Sequence, residues 1–407
     1  MSIGSKTNHK LLLACVLTLG AATAYADGMA DWKPIVDARL RYENVDQTGI
    51  AKQADAVTAR LRLGVITPKL LDTSLLAEGE FVVPLDTNYN PTVPARPAYP
   101  VVADPESYEV NRVQLTNTSL PQTTLTLGRQ LINLDDQRFV GAVGWRQNEQ
   151  TFDAFRVVNK SVKNLTIDAT YFNRVNRVFG HDSSQGTYKG NSFLGNVSYQ
   201  TPVGKITGFG YLIDIDNIPA VAAAVKDSNA TYGLRFAGDK GLGKVKLGYT
   251  ASYAHQKDYK DNPLSFDLSY YMGEVSVGFM QFTGIVGYES MDGDGTKGFT
   301  TPLATLHKFQ GWADKFLATP ANGLNDTYAG LVWTAKKLGP FDVMSATAMY
   351  HDFKSERLTF SAKGSEWDLQ LLAKWQRLTT ILKYADYSAD GLFTDTKKLW
   401  LEFDYVW

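Results

Sequence analysis

The stretch Pro34-Ile35-Val36-Asp37-Ala38-Arg39-Leu40-Arg41-Tyr42-Glu43 decides the fold class. In an extended chain Val36, Ala38, Leu40 and Tyr42 share one face, and Asp37, Arg39, Arg41 and Glu43 share the other. The same period of two returns at Val57, Ala59, Leu61, Leu63 and Val65, set against Thr58, Arg60 and Arg62. It returns again at Leu75, Ala77, Phe81 and Val83, opposite Glu78 and Glu80. Clear examples follow over 165–171, 245–253 and 367–375, and the chain closes on Leu399, Leu401, Phe403, Tyr405 and Trp407.

A water-soluble sandwich would alternate in the same way, so the connections carry the decision. Every second gap is a tight turn: Pro68 to Asp72, Ser119 to Gln122, Thr201 to Gly204, Asp239 to Gly243 and Lys336 to Pro340. The gaps between them are long: Pro84 to Tyr108, Asn133 to Glu149, Arg177 to Gly190, Ile215 to Asn229 and Ser290 to Asp326. Short turns on one rim and long loops on the other belong to an outer-membrane barrel, and this rhythm predicts an all-β, antiparallel transmembrane barrel of about 18 strands. Both chain ends then fall on the short-turn, periplasmic rim. Closure also removes the exposed edges that so many strands would otherwise leave.

Composition agrees with this reading. Lys plus Arg number 41 and Asp plus Glu 42, so the chain lacks the basic excess of a nucleic-acid-binding surface. Charged residues make up 20 % of the chain, and past residue 26 the longest purely apolar run is 220–225, far short of a spanning helix. At the N-terminus, Lys6 and Lys10 precede an apolar core from Leu11 to Leu19, and Ala24-Tyr25-Ala26 supplies a small-x-small cleavage pattern. Residues 1–26 are therefore expected to be a signal peptide cut before Asp27, leaving residues 27–407 as one barrel domain. The sole cysteine, Cys15, lies in the apolar core, so the mature chain has neither disulfides nor a thiolate metal site. Without Lys6 and Lys10 the net charge is -3.

If the apolar faces meet lipid, the polar faces line a lumen. Arg39 and Arg41 then stand beside Arg60 and Arg62, and four neighbouring guanidinium groups repel unless carboxylates or an anionic solute intervene. Glu78 and Glu80 lie on the next strand, and Arg112 and Arg156 repeat the inward placement further round. Two readings follow: a self-neutralising ladder that stiffens the wall, or a track for an anionic solute, since arginine presents fixed donors to carboxylates.

The longest gap carries helix signals. Thr301 suits an N-cap, Pro302 a first helical position, and Thr319-Pro320 a stop. Leu303, Leu306, Ala313, Phe316 and Leu317 recur at helical spacing, with Phe309 and Trp312 alongside. The spacing predicts a short amphipathic helix over Thr301 to Leu317 in an extracellular loop, with Lys308, Asp314 and Lys315 on its polar side. Such a loop either caps the barrel mouth or folds inward as a constriction built from Lys308, Trp312, Asp314 and Lys315. Asp292-Gly293-Asp294-Gly295 has the look of half a calcium loop but lacks the distal Glu, which favours a turn over a metal site. No cofactor is expected.

Three stretches carry a family resemblance. One runs from Gly128-Arg129-Gln130 through Leu134-Asp135-Asp136-Gln137-Arg138-Phe139-Val140-Gly141 to Trp145-Arg146-Gln147-Asn148-Glu149-Gln150-Thr151-Phe152-Asp153. The second is the segment from Phe299 to Phe316, and the third is Asp37-Ala38-Arg39-Leu40-Arg41-Tyr42-Glu43. Together they resemble the alginate-export family of outer-membrane barrels. The resemblance implies an eighteen-stranded barrel that passes a solute, in the named exporters an anionic polysaccharide. Those exporters have a strongly basic conduit, whereas the mature chain here carries -3. Two functions are thus open: a channel for an anionic polysaccharide or related anionic solute, and a general or substrate-specific porin for small nutrients.

An outer-membrane enzyme would need a base near a nucleophile, and His181, His255, His307 and His351 have no serine partner that spacing singles out. A surface adhesin would use the loops without conduction. The expected partners are outer-membrane lipid, lipopolysaccharide, the barrel-assembly machinery (recognising a final strand ending in Tyr405 and Trp407) and the anionic saccharide or small solute itself.

Overall fold

A computed structural model describes residues 31–216, 225–357 and 361–407. The signal peptide expected over residues 1–26 lies outside the described residues. Eighteen strands are present among them: β1 (Lys33–Gln47), β2 (Ala54–Ile66), β3 (Thr73–Pro84), β4 (Ser107–Asn117), β5 (Thr123–Gln130), β6 (Thr151–Asn159), β7 (Leu165–Asn176), β8 (Thr187–Thr201), β9 (Gly204–Ile213), β10 (Asn229–Leu242), β11 (Val245–Asp258), β12 (Asp267–Phe279), β13 (Phe282–Met291), β14 (Leu324–Leu338), β15 (Phe341–Lys354), β16 (Ala362–Trp375), β17 (Leu378–Ala389) and β18 (Thr396–Val406). Each pairs antiparallel with its neighbours in sequence, and β1 pairs with β18 from Asp37↔Val406 to Gln47↔Thr396, so the sheet closes on itself. Every strand thereby has two partners, the condition for placing backbone amides in hydrocarbon.

The predicted alternation holds around the wall. Leu40, Leu115, Leu127, Phe193, Leu234, Val286, Leu331 and Leu371 are all more than two-fifths exposed on the outer face, while Arg41, Glu43, Glu80, Glu366 and Glu402 are buried inside. Large apolar side chains outside and charges inside invert a soluble protein, and hydrocarbon around the ring explains the inversion. Leu61 belongs to the outer set by register but is only 5 % exposed, because its partners across the sheet are Ala38 and Phe81. At one place the period slips. Opposite Glu78 and Gly79, β4 carries an extra residue, and the bulge turns both Asn111 and Arg112 toward the Glu78 carboxylate, at 2.7 and 2.8 Å.

The interior is filled more than a wet ladder would need. Residues 131–150, between β5 and β6, and 292–323, between β13 and β14, turn into the barrel and build two apolar clusters there. Ile132, Val140, Phe299 and Leu303 pack with Phe152, Phe172, Tyr211 and Tyr270 of the wall. Ala313 and Phe316 pack with Leu324, Phe353, Tyr387 and Trp400.

The expected helix over Thr301 to Leu317 is not formed; the segment holds one 3₁₀ turn at Leu306–Lys308. Its apolar residues serve two opposite walls, Leu303 the first cluster and Phe316 the second, so no single helical stripe could satisfy both. Gln310, Gly311 and Asp314 take positive φ values of 53°, 77° and 60°, which an α-helix forbids. At Gly311 the backbone passes so close to the wall that a Cβ would stand 2.5 Å from the Glu366 carboxylate.

Candidate functional site: the inner loops and the vestibule

The four arginines at the barrel centre arrive by register, since Arg39 pairs across the sheet with Arg60 and Asp37 with Arg62. Carboxylates separate them. Arg39 Nε donates to Asp404 at 2.6 Å, and Arg41 binds Glu402; both acids are supplied by β18 across the closure seam. Arg60 reaches Asp37 at 2.5 Å, and Arg62 binds Glu80 and, at 3.1 Å, Glu149 of the first inner loop. Arg112 pairs with Glu78 on β3, and Arg156 with Asp168 on β7. Arg60 keeps Nε and Nη1 buried without a hydrogen-bond partner.

The first inner loop lies directly on this cluster. Arg39 Nη1 donates to the carbonyls of Gly144, Trp145 and Arg146 at 3.0, 3.2 and 3.3 Å, and Arg41 sits 4.3 Å from the Trp145 ring. Gln147 binds Asp104 through its amide at 2.9 Å and Thr58 through its side chain at 2.8 Å. The two inner loops also bind each other. Val140 and Leu303 form a parallel bridge, Gly141 N donates to Leu303 O at 2.8 Å, and Thr305 N donates to Gln137 O at 3.1 Å. Arg138 reaches Glu289 of β13 at 2.6 Å and Thr301 at 3.3 Å.

The second inner loop is fastened at four expected site residues and at one that sequence reasoning did not single out. Asp314 accepts from Lys398 at 2.9 Å, from Arg146 at 3.3 Å and from His307 at 2.7 Å. Burial opposes its charge, yet His307, Lys398 and Arg146 hold its pKa well below the ordinary carboxylate range. Trp312 N donates to Asp368 at 3.1 Å, and its ring lies 3.6 Å from the Lys383 ammonium. Lys315 donates to Thr396 at 2.8 Å and lies over Tyr387 and Phe393; burial lowers its pKa to about 8. Lys308 is set apart, donating to Asp136 O at 2.9 Å.

His307 is the added fastening. Its ring stacks on Trp145 at 4.2 Å and 5°. Nε2 lies 2.7 Å from Lys383 Nζ, and because an ammonium can only donate, Nε2 accepts and Nδ1–H donates to Asp314. The neutral tautomer is therefore locked. Burial, with Lys383 and Arg146 adding to it against the opposing pull of Asp314, lowers the pKa to about 3. A released loop would regain the ordinary value of ~6.5 and bind the proton first. The contribution of His307 to docking is thus complete above pH ~6.5 and falls by about 1.4 kcal/mol per unit as pH drops toward the docked value. Single-channel records should show more frequent openings on acidification from pH 6.5 to 4, and His307→Asn should flatten that response. A record indifferent to pH in the wild-type protein would refute the coupling.

Above these fastenings lies a vestibule of about 650 Å³, bounded by the loops that follow β1, β3, β5, β7, β13 and β17. Its walls are apolar at Ile50, Pro97, Val143, Phe179, Pro302 and Leu317, and carry four strong cations, Arg146, Arg177, Lys315 and Lys398. Asp314 is the single carboxylate in the lining among the described residues.

Of the residues missed in the sequence, Glu402, Asp404 and Trp400 were within reach, because period two sends them inward when Leu399, Leu401 and Phe403 face lipid. Trp145, Arg146, Glu149 and His307 sit in the two long stretches that carry the family resemblance, and those stretches are the two inner loops. Asp294 closes a turn, accepting from the amides of Thr296 and Lys297 at 2.6 and 2.7 Å, while the Asp292 carboxylate accepts from Ser269 N of β12 at 2.8 Å.

Comparison with known proteins agrees with this geometry. Residues 86–261 match the alginate-export family. No curated protein matches the chain in sequence. Among solved structures, Pseudomonas aeruginosa OpdK with vanillate is similar at 14 % identity and a TM-score of 0.68, covering 93 % of this chain and 99 % of that one. A BenF-like porin from Pseudomonas fluorescens Pf-5 gives 14 % identity and 0.71, covering 93 % and 100 %. Acinetobacter baumannii OccAB3 gives 13 % and 0.70, covering 93 % and 99 %. At such identities these three establish the fold alone. The closed eighteen-stranded wall, with residues 86–261 similar to the alginate-export family, makes the chain an outer-membrane β-barrel, a porin-like channel rather than an enzyme.

Proposed function

We propose that this channel admits small carboxylate-bearing solutes singly. One observation carries the reading: two loops bonded to each other and to the wall fill the bore, leaving an apolar vestibule whose cations outnumber its acids. A polymer needs a continuous, weakly binding track, whereas the central arginines here are engaged by Asp37, Glu80, Glu149, Glu402 and Asp404. The vestibule's volume lies in the range of small-molecule pockets. The vanillate named with the OpdK structure is a small aromatic carboxylate and supports the same class of solute. Export of an anionic polysaccharide is the second reading, favoured by the family match. Insertion by the barrel-assembly machinery through the strand ending at Trp407, and lipopolysaccharide around the loop rim, belong to the same proposal.

The test is planar-bilayer recording of the full mature chain with benzoate or with uronate oligomers added. Benzoate should interrupt the current in a concentration-dependent way, and the oligomers should have little effect. Block by oligomers alone would reverse the order of the two readings.

A further inference from the structure

Just beyond β7 stands Arg177, a residue that neither the alternation nor the inner-loop stretches single out. Its guanidinium lies 4.1 Å from the Tyr188 ring and 4.8 Å from the Phe179 ring, and Nη1 donates to Gln185 O at 2.9 Å. No carboxylate lies within ion-pair distance of it among the described residues. Its neighbours in the cavities differ: Arg146 is neutralised by Glu43 and Asp314, Arg138 by Glu289, and Lys297 by Asp227. Arg177 is thus a strong cation held in place by rings, with most of its five N–H donors uncommitted.

Its position adds a second observation. Past the vestibule lies another cavity of about 400 Å³, lined by Tyr188, Phe299, Gln310 and the segment from Leu317 to Thr319. Five residues border both spaces: Arg177, Phe179, Pro302, Leu306 and Leu317. Four of them are apolar, and Arg177 alone is charged.

On the reading of the channel as a path for small carboxylates, we infer that Arg177 is the carboxylate-binding residue at the junction of the two cavities. The solute's carboxylate accepts paired hydrogen bonds from the guanidinium fork, and its flat apolar body lies against Phe179, Pro302 and Leu306. Because both cavities touch the same guanidinium, the body can swing from one to the other while the carboxylate stays bound. Lys315, the other vestibule cation with no carboxylate partner, supplies the charge that draws the anion in from outside. A single anchoring pair, with apolar contacts alone at Phe179, Pro302 and Leu306, keeps binding weak enough for release.

The test uses the full mature chain in planar bilayers, with benzoate as the probe and benzamide as its uncharged counterpart. In the wild-type channel benzoate should block and benzamide should not. Arg177→Gln should raise the benzoate concentration for half-block by about tenfold or more, and Arg177→Lys, which keeps the charge but not the fork, by less. Wild-type heat resistance of the folded form in gels marks the variants as folded, and should Arg177→Gln fail to insert, Arg177→Lys carries the comparison. Equal block in the wild type and both variants would overturn the assignment to Arg177 while leaving the small-carboxylate reading standing. Absence of benzoate block in the wild type would sink that reading, and this inference with it.

Discussion

Excising residues 299–318 should raise single-channel conductance several-fold and abolish solute block. The stem of this loop makes the excision structurally simple. Gly298 and Thr319 already lie side by side, since a Cβ on Gly298 would stand 2.6 Å from Thr319 O, and Gly295 N donates to Ala321 O at 2.9 Å. Joining the two positions spans no new distance. The deletion removes His307, Trp312, Asp314 and Lys315 together, and with them the floor of the vestibule. On the wall, Glu366 and Asp368 lose the amides of Ala313 and Trp312 that they accept from at 2.6 and 3.1 Å, but water entering the widened bore can replace those donors. The barrel's eighteen-strand ladder is untouched, so heat resistance of the folded form in gels should persist. Conductance equal to that of the wild type would place the narrowest passage at residues 131–150 instead.

The wall was readable in the sequence because its physics is local. A side chain in a closed sheet has one of two environments, and a period of two reports which. Turn lengths then fixed the strand order without any knowledge of distant contacts. The inner loops were not readable in the same way. The spacing of Leu303, Leu306, Ala313 and Phe316 is helical, and it predicts the short amphipathic helix that the structure does not form. Yet Leu303 belongs to one wall cluster and Ala313 and Phe316 to the other, and the carboxylates of Glu366 and Asp368 take the amides that a helix would have kept. Tertiary demand overrides local propensity here. Similarly, the repulsion expected among Arg39, Arg41, Arg60 and Arg62 was visible, but the acids that relieve it come partly from β18, more than 350 residues further on, and partly from Glu149 in a loop. Only closure of the ring brings Glu402 and Asp404 beside Arg41 and Arg39. Arg177 had no sequence signal at all, since its distinction is that no carboxylate among the described residues comes within ion-pair distance of it in a crowded, paired interior.

That crowding gives the largest expected loss of stability from one side chain. Arg41 is wholly buried, bound to Glu402, 3.6 Å from Asp104, and packed 4.3 Å from the Trp145 ring. Arg41→Ala leaves buried Glu402 with only the more distant Arg39 at 3.5 Å and Asp104 with only Arg146 at 3.7 Å, and breaking a buried pair in this way costs about 3–5 kcal/mol. The first inner loop should loosen as well, because Trp145 loses one of two cations over its ring and one of two arginine donors to its carbonyl. The urea midpoint of the reconstituted protein should therefore fall sharply, and the conductance should become noisy. The pair Arg41→Met with Glu402→Leu separates charge from packing. Removing both charges restores an apolar contact of similar volume, and such exchanges of a buried ion pair are often neutral or stabilising. The double variant should recover most of the lost stability, although Asp104 still has Arg146 at 3.7 Å to hold its charge. If the double variant is as unstable as Arg41→Ala, the pair contributes through its hydrogen bonds to the loop rather than through charge balance. In that case the Trp145 carbonyl, and not Glu402, is the partner that matters for holding the first inner loop in the bore.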